Sequence, residues 1–251
     1  GMIGTEAVVR SPADGYTLLF ASASLSVSTA IYASRITFDP LTSLAPVTWL
    51  SSVPLLLTIH RSVPVKSVRE LVVLSKRQKG GLNGGHNGSG TTSHIALEMF
   101  RQQTGADMVS IPYKGGGPAT IAILSGEIDF MFATLTTVKP HVEGGRLRGL
   151  AVSTRKRSGV FPDLPTMDSI YPGFESDNWF GLFVPAGTPK EIVARLNALA
   201  VAAMKTPEMR DIIAKDGGDV VGSTPEELGA HLHSEVARYS KVIKAGNIKA
   251  E

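Results

Sequence analysis

The stretch Gly84-Gly85-His86-Asn87-Gly88-Ser89-Gly90-Thr91-Thr92 mixes glycines with small hydroxyl residues just ahead of a helical pattern. Glycines let the backbone turn its N–H groups outward, and a helix start adds partial positive charge, so such a loop takes up an anion. Further on, Ile111-Pro112-Tyr113-Lys114-Gly115-Gly116-Gly117-Pro118 repeats the arrangement, with Lys114 either an added charge or a plain surface lysine. Both loops leave the carboxyl end of a strand, where open α/β sheets bind ligands. A plainer reading stands beside this one: a flexible turn in which Ser89, Thr91 or Thr92 merely caps the helix. Neither loop is a nucleotide fingerprint. No Gly-Lys-Ser/Thr follows for a P-loop, and Gly88-x-Gly90-x-x-Ser93 lacks the third glycine of a dinucleotide site. Ser89 also lacks the Gly-x-Ser-x-Gly frame of a nucleophile elbow.

Little else points to covalent chemistry. There are no cysteines, which excludes thiol nucleophiles, zinc–thiolate sites and disulfides. The six histidines form no metal set; His86 and His94 flank the glycine loop, and His231 and His233 point to different faces of a helix. Asp129 and Asp177 are expected to accept from turn amides, and Trp49 and Trp179 to pack in a core. No metal or cofactor is called for. The net charge of +3 is spread along the chain, which does not make a nucleic-acid face. Arg155-Lys156-Arg157 reads as a solvated loop. Val47 to Ile59 is the longest apolar candidate for a membrane span, and Thr48, Ser51, Ser52, Pro54 and Thr58 interrupt it.

The elements that must hold the two loops follow from periodicity. Strands are expected at 16–21, 108–112, 128–133, 147–153 and 179–184, with two apolar runs between Ala45 and Ile59 broken at Pro54. Helices are expected at 67–78 (capped by Ser67), 91–104, 118–125, 189–204 (capped by Thr188), 207–215 and 225–244 (capped by Thr224). Strands alternating with helices make an α/β protein with largely parallel sheets.

Several segments together resemble the substrate-binding proteins of the tripartite tricarboxylate transporters, also called Bug-type receptors. They are Pro12-Ala13-Asp14-Gly15-Tyr16-Thr17-Leu18, Gly88-Ser89-Gly90-Thr91-Thr92-Ser93-His94, Pro112-Tyr113-Lys114-Gly115-Gly116 and Ser125-Gly126-Glu127-Ile128-Asp129. Gly145-Arg146-Leu147-Arg148-Gly149-Leu150-Ala151, Pro162-Asp163-Leu164-Pro165-Thr166 and the run from Trp179 to Pro189 complete the set, in order along nearly the whole chain. The resemblance implies a periplasmic-binding-protein-like fold of type II, two α/β lobes joined by two crossover strands. Lobe one would be 1–54 with 180–251, and lobe two 55–179. It implies a small carboxylate held in an interlobe cleft by Ala21, Ser22 and Ser24 of lobe one. Lobe two would add Gly88, Ser89, Gly90, Thr91, Tyr113, Lys114, Ala133 and Thr134.

The resemblance also implies a periplasmic location, delivery to integral membrane transporter subunits, no catalysis and no nucleic-acid partner. An α/β enzyme that uses Gly84–Gly90 for a nucleotide or phosphate is the alternative. The chain starts at Gly1-Met2-Ile3-Gly4-Thr5, which resembles the end of the strand–loop–helix with which family members begin. Roughly a fifth of a full-length member, with its signal peptide, is therefore expected to lie outside this sequence. A sheet edge left open in lobe one would then invite a homodimer. His86-Asn87 stands where relatives usually have a smaller, serine-rich sequence, so ligand preference is expected to differ.

Overall fold

In a computed structural model, which describes residues 1–33, 35–215 and 217–248, the chain alternates helices and strands as expected of an α/β protein. The first elements are α1 (Met2–Val9), β1 (Leu19–Ser22), α2 (Ser24–Ile31), α3 (Pro40–Ser43), β2 (Leu44–His60) and α4 (Val68–Arg77). Then follow β3 (Leu82–His86), α5 (Thr92–Thr104), β4 (Met108–Pro112), α6 (Gly116–Ser125), β5 (Phe130–Thr134), α7 (Leu135–Glu143) and β6 (Leu147–Val152). The rest comprises α8 (Met167–Ile170), β7 (Asp177–Pro185), α9 (Lys190–Met204), α10 (Pro207–Lys215), β8 (Asp219–Val220) and α11 (Pro225–Gly246). Two units result, one of Gly1–Ser52 with the described residues from Asn178 onward, the other of Val53–Asp177.

The break anticipated at Pro54 is absent, because β2 runs unbroken for 17 residues. Its pairing with β8 involves Ser51 and Ser52, whereas its ladders with β5 and β6 start at Leu55 and Leu56. Pro54 falls between these three ladders, none of which calls on the N–H that proline lacks. The strand leaves one sheet and enters another at that point.

In the Val53–Asp177 unit the sheet order is β4-β3-β5-β2, with β6 on the far side of β2. Strands β3, β4 and β5 run parallel, and β2 runs antiparallel to β5 and β6. Both faces of this sheet are covered, so β2 reads as a continuous apolar run, with Leu55, Leu56, Leu57 and Ile59 fully buried. On one side Leu56, Met131 and Val152 pack against Ala119, Ile123, Leu135 and Val138 of α6 and α7. The ring of Phe132 stacks on Phe174 at 5.5 Å and meets Phe100 edge-on at 5.9 Å. Truncating it, Phe132→Ala, is expected to cost about 3–5 kcal/mol in urea unfolding; a loss under about 1 kcal/mol would show that the aromatic cluster is not a core.

The other unit has the order β1-β7-β2, with β8 also on β2. Its core gathers Leu19, Ala21, Trp179, Phe183, Leu228 and Leu232. Helix α11 starts with a complete capping box: the Thr224 hydroxyl accepts from Glu227 N, and the Glu227 carboxylate accepts from Thr224 N. Ser67 caps α4 by accepting from Glu70 N, as expected. Thr188 does not cap α9. Its hydroxyl donates to the Pro185 carbonyl at 2.8 Å, which ties down the turn and leaves Pro189 at the cap position.

Candidate functional site

The parallel register brings the ends of β3 and β4 level, with the end of β5 just beyond them. Gly85 pairs with Ile111 and His86 with Pro112 on one side, while Gly84 pairs with Phe130 and Gly85 with Met131 on the other. The loops after β3 and β4 therefore emerge side by side with α5 and α6 beginning from them, and α7 follows β5 directly. Gly115 before α6 and Thr134 before α7 provide no side-chain cap. Three helix N-termini at one sheet edge place partial positive charge there without any basic side chain. Thr134 is half-buried and Ala133 buried at the end of β5.

The loop between β3 and α5 is held by its own hydrogen bonds. Thr91 Oγ1 donates to the Gly88 carbonyl at 2.7 Å and accepts from His94 N at 3.4 Å, and Asn87 N donates to Ser93 Oγ at 2.9 Å. Gly88 and Gly90 sit at φ of 117° and 77°, backbone conformations that side chains oppose. The N–H groups of Ser89, Thr92 and Ser93 meet no acceptor among the described residues. Gly115 N reaches back to the Asn87 carbonyl at 3.1 Å, which joins the second glycine loop to the first. The buried Asn87 Oδ1 has no hydrogen-bond partner among the described residues.

Tyr113 N donates to the His86 carbonyl at 2.9 Å, and Tyr113 OH donates to Glu127 at 2.7 Å. Partial burial and that carboxylate push the phenol up to about 12, so it stays a donor at all ordinary pH. Lys114 is exposed on the same loop, in line with the surface reading. Beneath the first loop His86 and His94 are buried, and burial lowers the His94 imidazole below its ordinary 6.5. Its folded value being depressed, His94 contributes stability above pH 6.5 that is lost as the pH falls through the folded value. Unfolding midpoints of the wild type should thus fall between pH 7 and 5, less so in His94→Gln; equal slopes would remove His94 as the source.

In the other unit Ala21 and Ser22 end β1, and Ser24 opens α2 after a turn fixed by Ala23 N donating to the Trp179 carbonyl at 2.9 Å. Ser22 and Ser24 line a cavity of about 140 Å³ with Gly1, Met2 and Thr5. Behind the turn, Ser26 of α2 donates to the Glu235 carboxylate at 2.9 Å. That carboxylate also accepts from Trp179 Nε1, from Tyr239 OH at 2.6 Å and from Arg238 at 2.9 Å. Trp179 is packed in the core as expected, and Trp49 stacks on His231 at 3.9 Å. Asp129 accepts from Asn83 N at 2.7 Å, bridging β5 and β3 rather than a turn.

The predicted residues of the Val53–Asp177 unit thus lie on two adjacent loops, Gly88 to Thr91 and Tyr113 with Lys114, and at the end of β5, Ala133 and Thr134, all at one edge of its sheet. Ala21, Ser22 and Ser24 form one turn of the other unit. Sequence reasoning missed Ser93, His86 and His94 as loop supports. For His94 a signal was present, since the third residue of a helix can turn its side chain back to the loop that enters it. It also missed Glu235, a buried acid whose partners His231 and Tyr239 stand four residues away on either side of α11. Open amides, hydroxyls and helix ends of this kind can hold a carboxylate.

Comparison with known proteins agrees with this geometry. Residues 1–248 match the family model described as Tripartite tricarboxylate transporter family receptor. Protein BugT of Bordetella pertussis is 33% identical over 252 residues, covering 99% of this chain and 77% of that protein. The solved structure of Rhodopseudomonas palustris Rpa4515 with adipate is 32% identical and superposes with a TM-score of 0.88, covering 99% of this chain and 84% of that one. MatC of the same organism, solved with bound malate, is 27% identical with a TM-score of 0.84, covering 96% and 83%. The periplasmic binding protein BugD gives a TM-score of 0.85 at 30% identity. Since that family model matches residues 1–248, the chain belongs to the family of tripartite tricarboxylate transporter receptors.

Proposed function

We propose that this receptor works in the periplasm, binds a small di- or tricarboxylate or an acidic amino acid, and delivers it to integral membrane transporter subunits. The observation that carries this is the set of unused N–H groups at Ser89, Thr92 and Ser93 beside three converging helix starts. The adipate and malate found in two relatives support it. One carboxylate group sits on Gly88, Ser89, Gly90 and Thr91, with Tyr113, Lys114, Ala133 and Thr134 at its margin. Ala21, Ser22 and Ser24 supply the donors of the other unit.

Each charge-assisted hydrogen bond contributes about 1.5–3 kcal/mol, so three or four offset the cost of immobilising the ligand and leave micromolar affinity. A carboxylate at 100 times its Kd would add about 2.7 kcal/mol to stability. The melting temperature should accordingly rise by several degrees with the right member of a carboxylate panel and stay put with ATP or NAD. A panel without any effect would sink the proposal, and a shift with nucleotide alone would favour an enzyme.

No nucleic-acid partner belongs to this reading. A homodimer does, because Phe20 on β1 is 60% exposed among the described residues. Light scattering should find dimers at high concentration that Phe20→Lys reduces; a strictly monomeric protein would remove the dimer from the proposal.

A further inference from the structure

Two imidazoles lie beneath the Asn87–Gly90 turn and enter it from opposite ends. His86 closes β3, and His94 is the third residue of α5. Their rings stack with centroids 4.2 Å apart and planes within 14° of parallel. Each accepts a loop amide at Nδ1: Gly88 N donates to His86 at 3.2 Å and Gly90 N to His94 at 3.4 Å. A ring nitrogen accepts only while it carries no proton, so in this arrangement both histidines are neutral with the proton on Nε2.

Taking the loop as the carboxylate seat proposed above, we infer that His86 and His94 are its positioning residues and make binding proton-sensitive. The loop keeps its binding form while both Nδ1 atoms are bare and loses it when either is protonated. Protonation turns an acceptor into a donor aimed at another donor. Gly88 N or Gly90 N must then turn away, and the N–H of Ser89, which lies between them in the chain, turns with them. Two charged rings in stacking contact would repel, so the second proton is harder to add than the first.

Several ionisable groups stand on the elements around the pair. On α5 the nearest ionisable groups are Glu98 and Arg101, already paired with each other at 2.7 Å. Beyond β4 stand Tyr113 and exposed Lys114, with Glu127 engaged by the Tyr113 hydroxyl. Strand β5, from Phe130 to Thr134, brings no ionisable side chain. Burial of His94 acts in the same sense, favouring the neutral ring. A protonated imidazole would by itself attract an anion, so plain electrostatics predicts tighter binding in acid and loop geometry predicts weaker binding. The sign separates the two.

The experiment measures adipate affinity by calorimetry from pH 8 to pH 5 on the wild type and on the double variant His86→Asn/His94→Asn. An asparagine oxygen can accept the same amides without titrating, and the titration of adipate itself cancels in the ratio of the two Kd values. The wild type is expected to fall behind the variant by up to about tenfold per pH unit once the pair begins to protonate. His86→Leu/His94→Leu, which removes both acceptors, should bind weakly throughout. A parallel NMR titration of the ligand-free wild type needs no variant to fold: the Gly88 and Gly90 amides should move in step with the imidazole nitrogens. A pH-independent ratio, tighter wild-type binding in acid, or loop amides that stay still while either ring protonates would overturn the inference. Should adipate bind none of the proteins at any pH, the carboxylate assignment fails by itself, and the NMR titration still decides whether the histidines hold the loop.

Discussion

Replacing Glu235 by leucine is expected to cost about 3–5 kcal/mol, a large share of the roughly 5–15 kcal/mol that keeps a domain folded. The carboxylate is 1% exposed and accepts from four side chains, Ser26, Trp179, Arg238 and Tyr239. Leucine fills similar space but strands those donors, and an orphaned buried donor keeps its full desolvation cost. Glu235→Gln retains one carbonyl acceptor and should lose less, about 1–2 kcal/mol.

Burial raises the Glu235 carboxyl above its ordinary 4.5, against the opposing pull of its donors. Its folded value being raised, its contribution is complete below pH 4.5 and declines as the pH rises through the folded value. Denaturant unfolding followed by tryptophan fluorescence would read both effects. A loss below 1 kcal/mol in Glu235→Leu would show that the network is ornamental, and an unchanged pH slope in Glu235→Gln would assign the titration elsewhere. Because Ser26 lies on the helix that Ser24 opens, the same variants should also weaken ligand binding through the Ser22–Ser24 turn.

The second large effect is expected at Gly88. A side chain there would be strained at φ of 117°, and its Cβ would come within 3.1 Å of the Tyr113 carbonyl oxygen. Gly88→Val must relieve both by reshaping the turn, at about 1–2 kcal/mol of backbone strain. The loss of one or two charge-assisted bonds adds about 1.5–3 kcal/mol each. Affinity for the carboxylate that stabilises the protein most should fall about 100- to 1,000-fold, since each 1.4 kcal/mol is tenfold. Circular dichroism should stay native. Unchanged affinity in a folded variant would exclude this loop as the carboxylate seat.

The two glycine loops were legible in the sequence because glycine is chosen for backbone geometry, and geometry leaves a local trace. Gly88 and Gly90 occupy positive φ, and Ser67 and Thr224 announce helix starts through neighbours three residues on. What the sequence hid depends on distant partners. Glu235 reads as one more acid on an amphipathic helix until Ser26, 209 residues earlier, is brought against it. The stack of His86 on His94 needs the turn to close before the rings meet. Pro54 misleads for a related reason: a proline looks like a break unless the ladders on either side are known to stop short of it. Thr188 has the right type for a cap, but a nearer carbonyl takes its hydroxyl.

The passage of β2 from one sheet to another sets an order of assembly. Val53–Asp177 is a single unbroken stretch of chain, so all its strands are present as soon as Asp177 has been synthesised. The other unit cannot close then, since β1 pairs with β7, Ser26 needs Glu235, and the helix bearing Glu235 is the last of the described elements. Domains form as units during synthesis, earlier stretches first. Here the inserted unit completes its sheet while β1 and α2, made before it, still wait for the chain's end. The glycine loops are therefore in place before the Ser22–Ser24 turn is, and a block in translation after Asp177 would leave one folded unit carrying an unfolded leader.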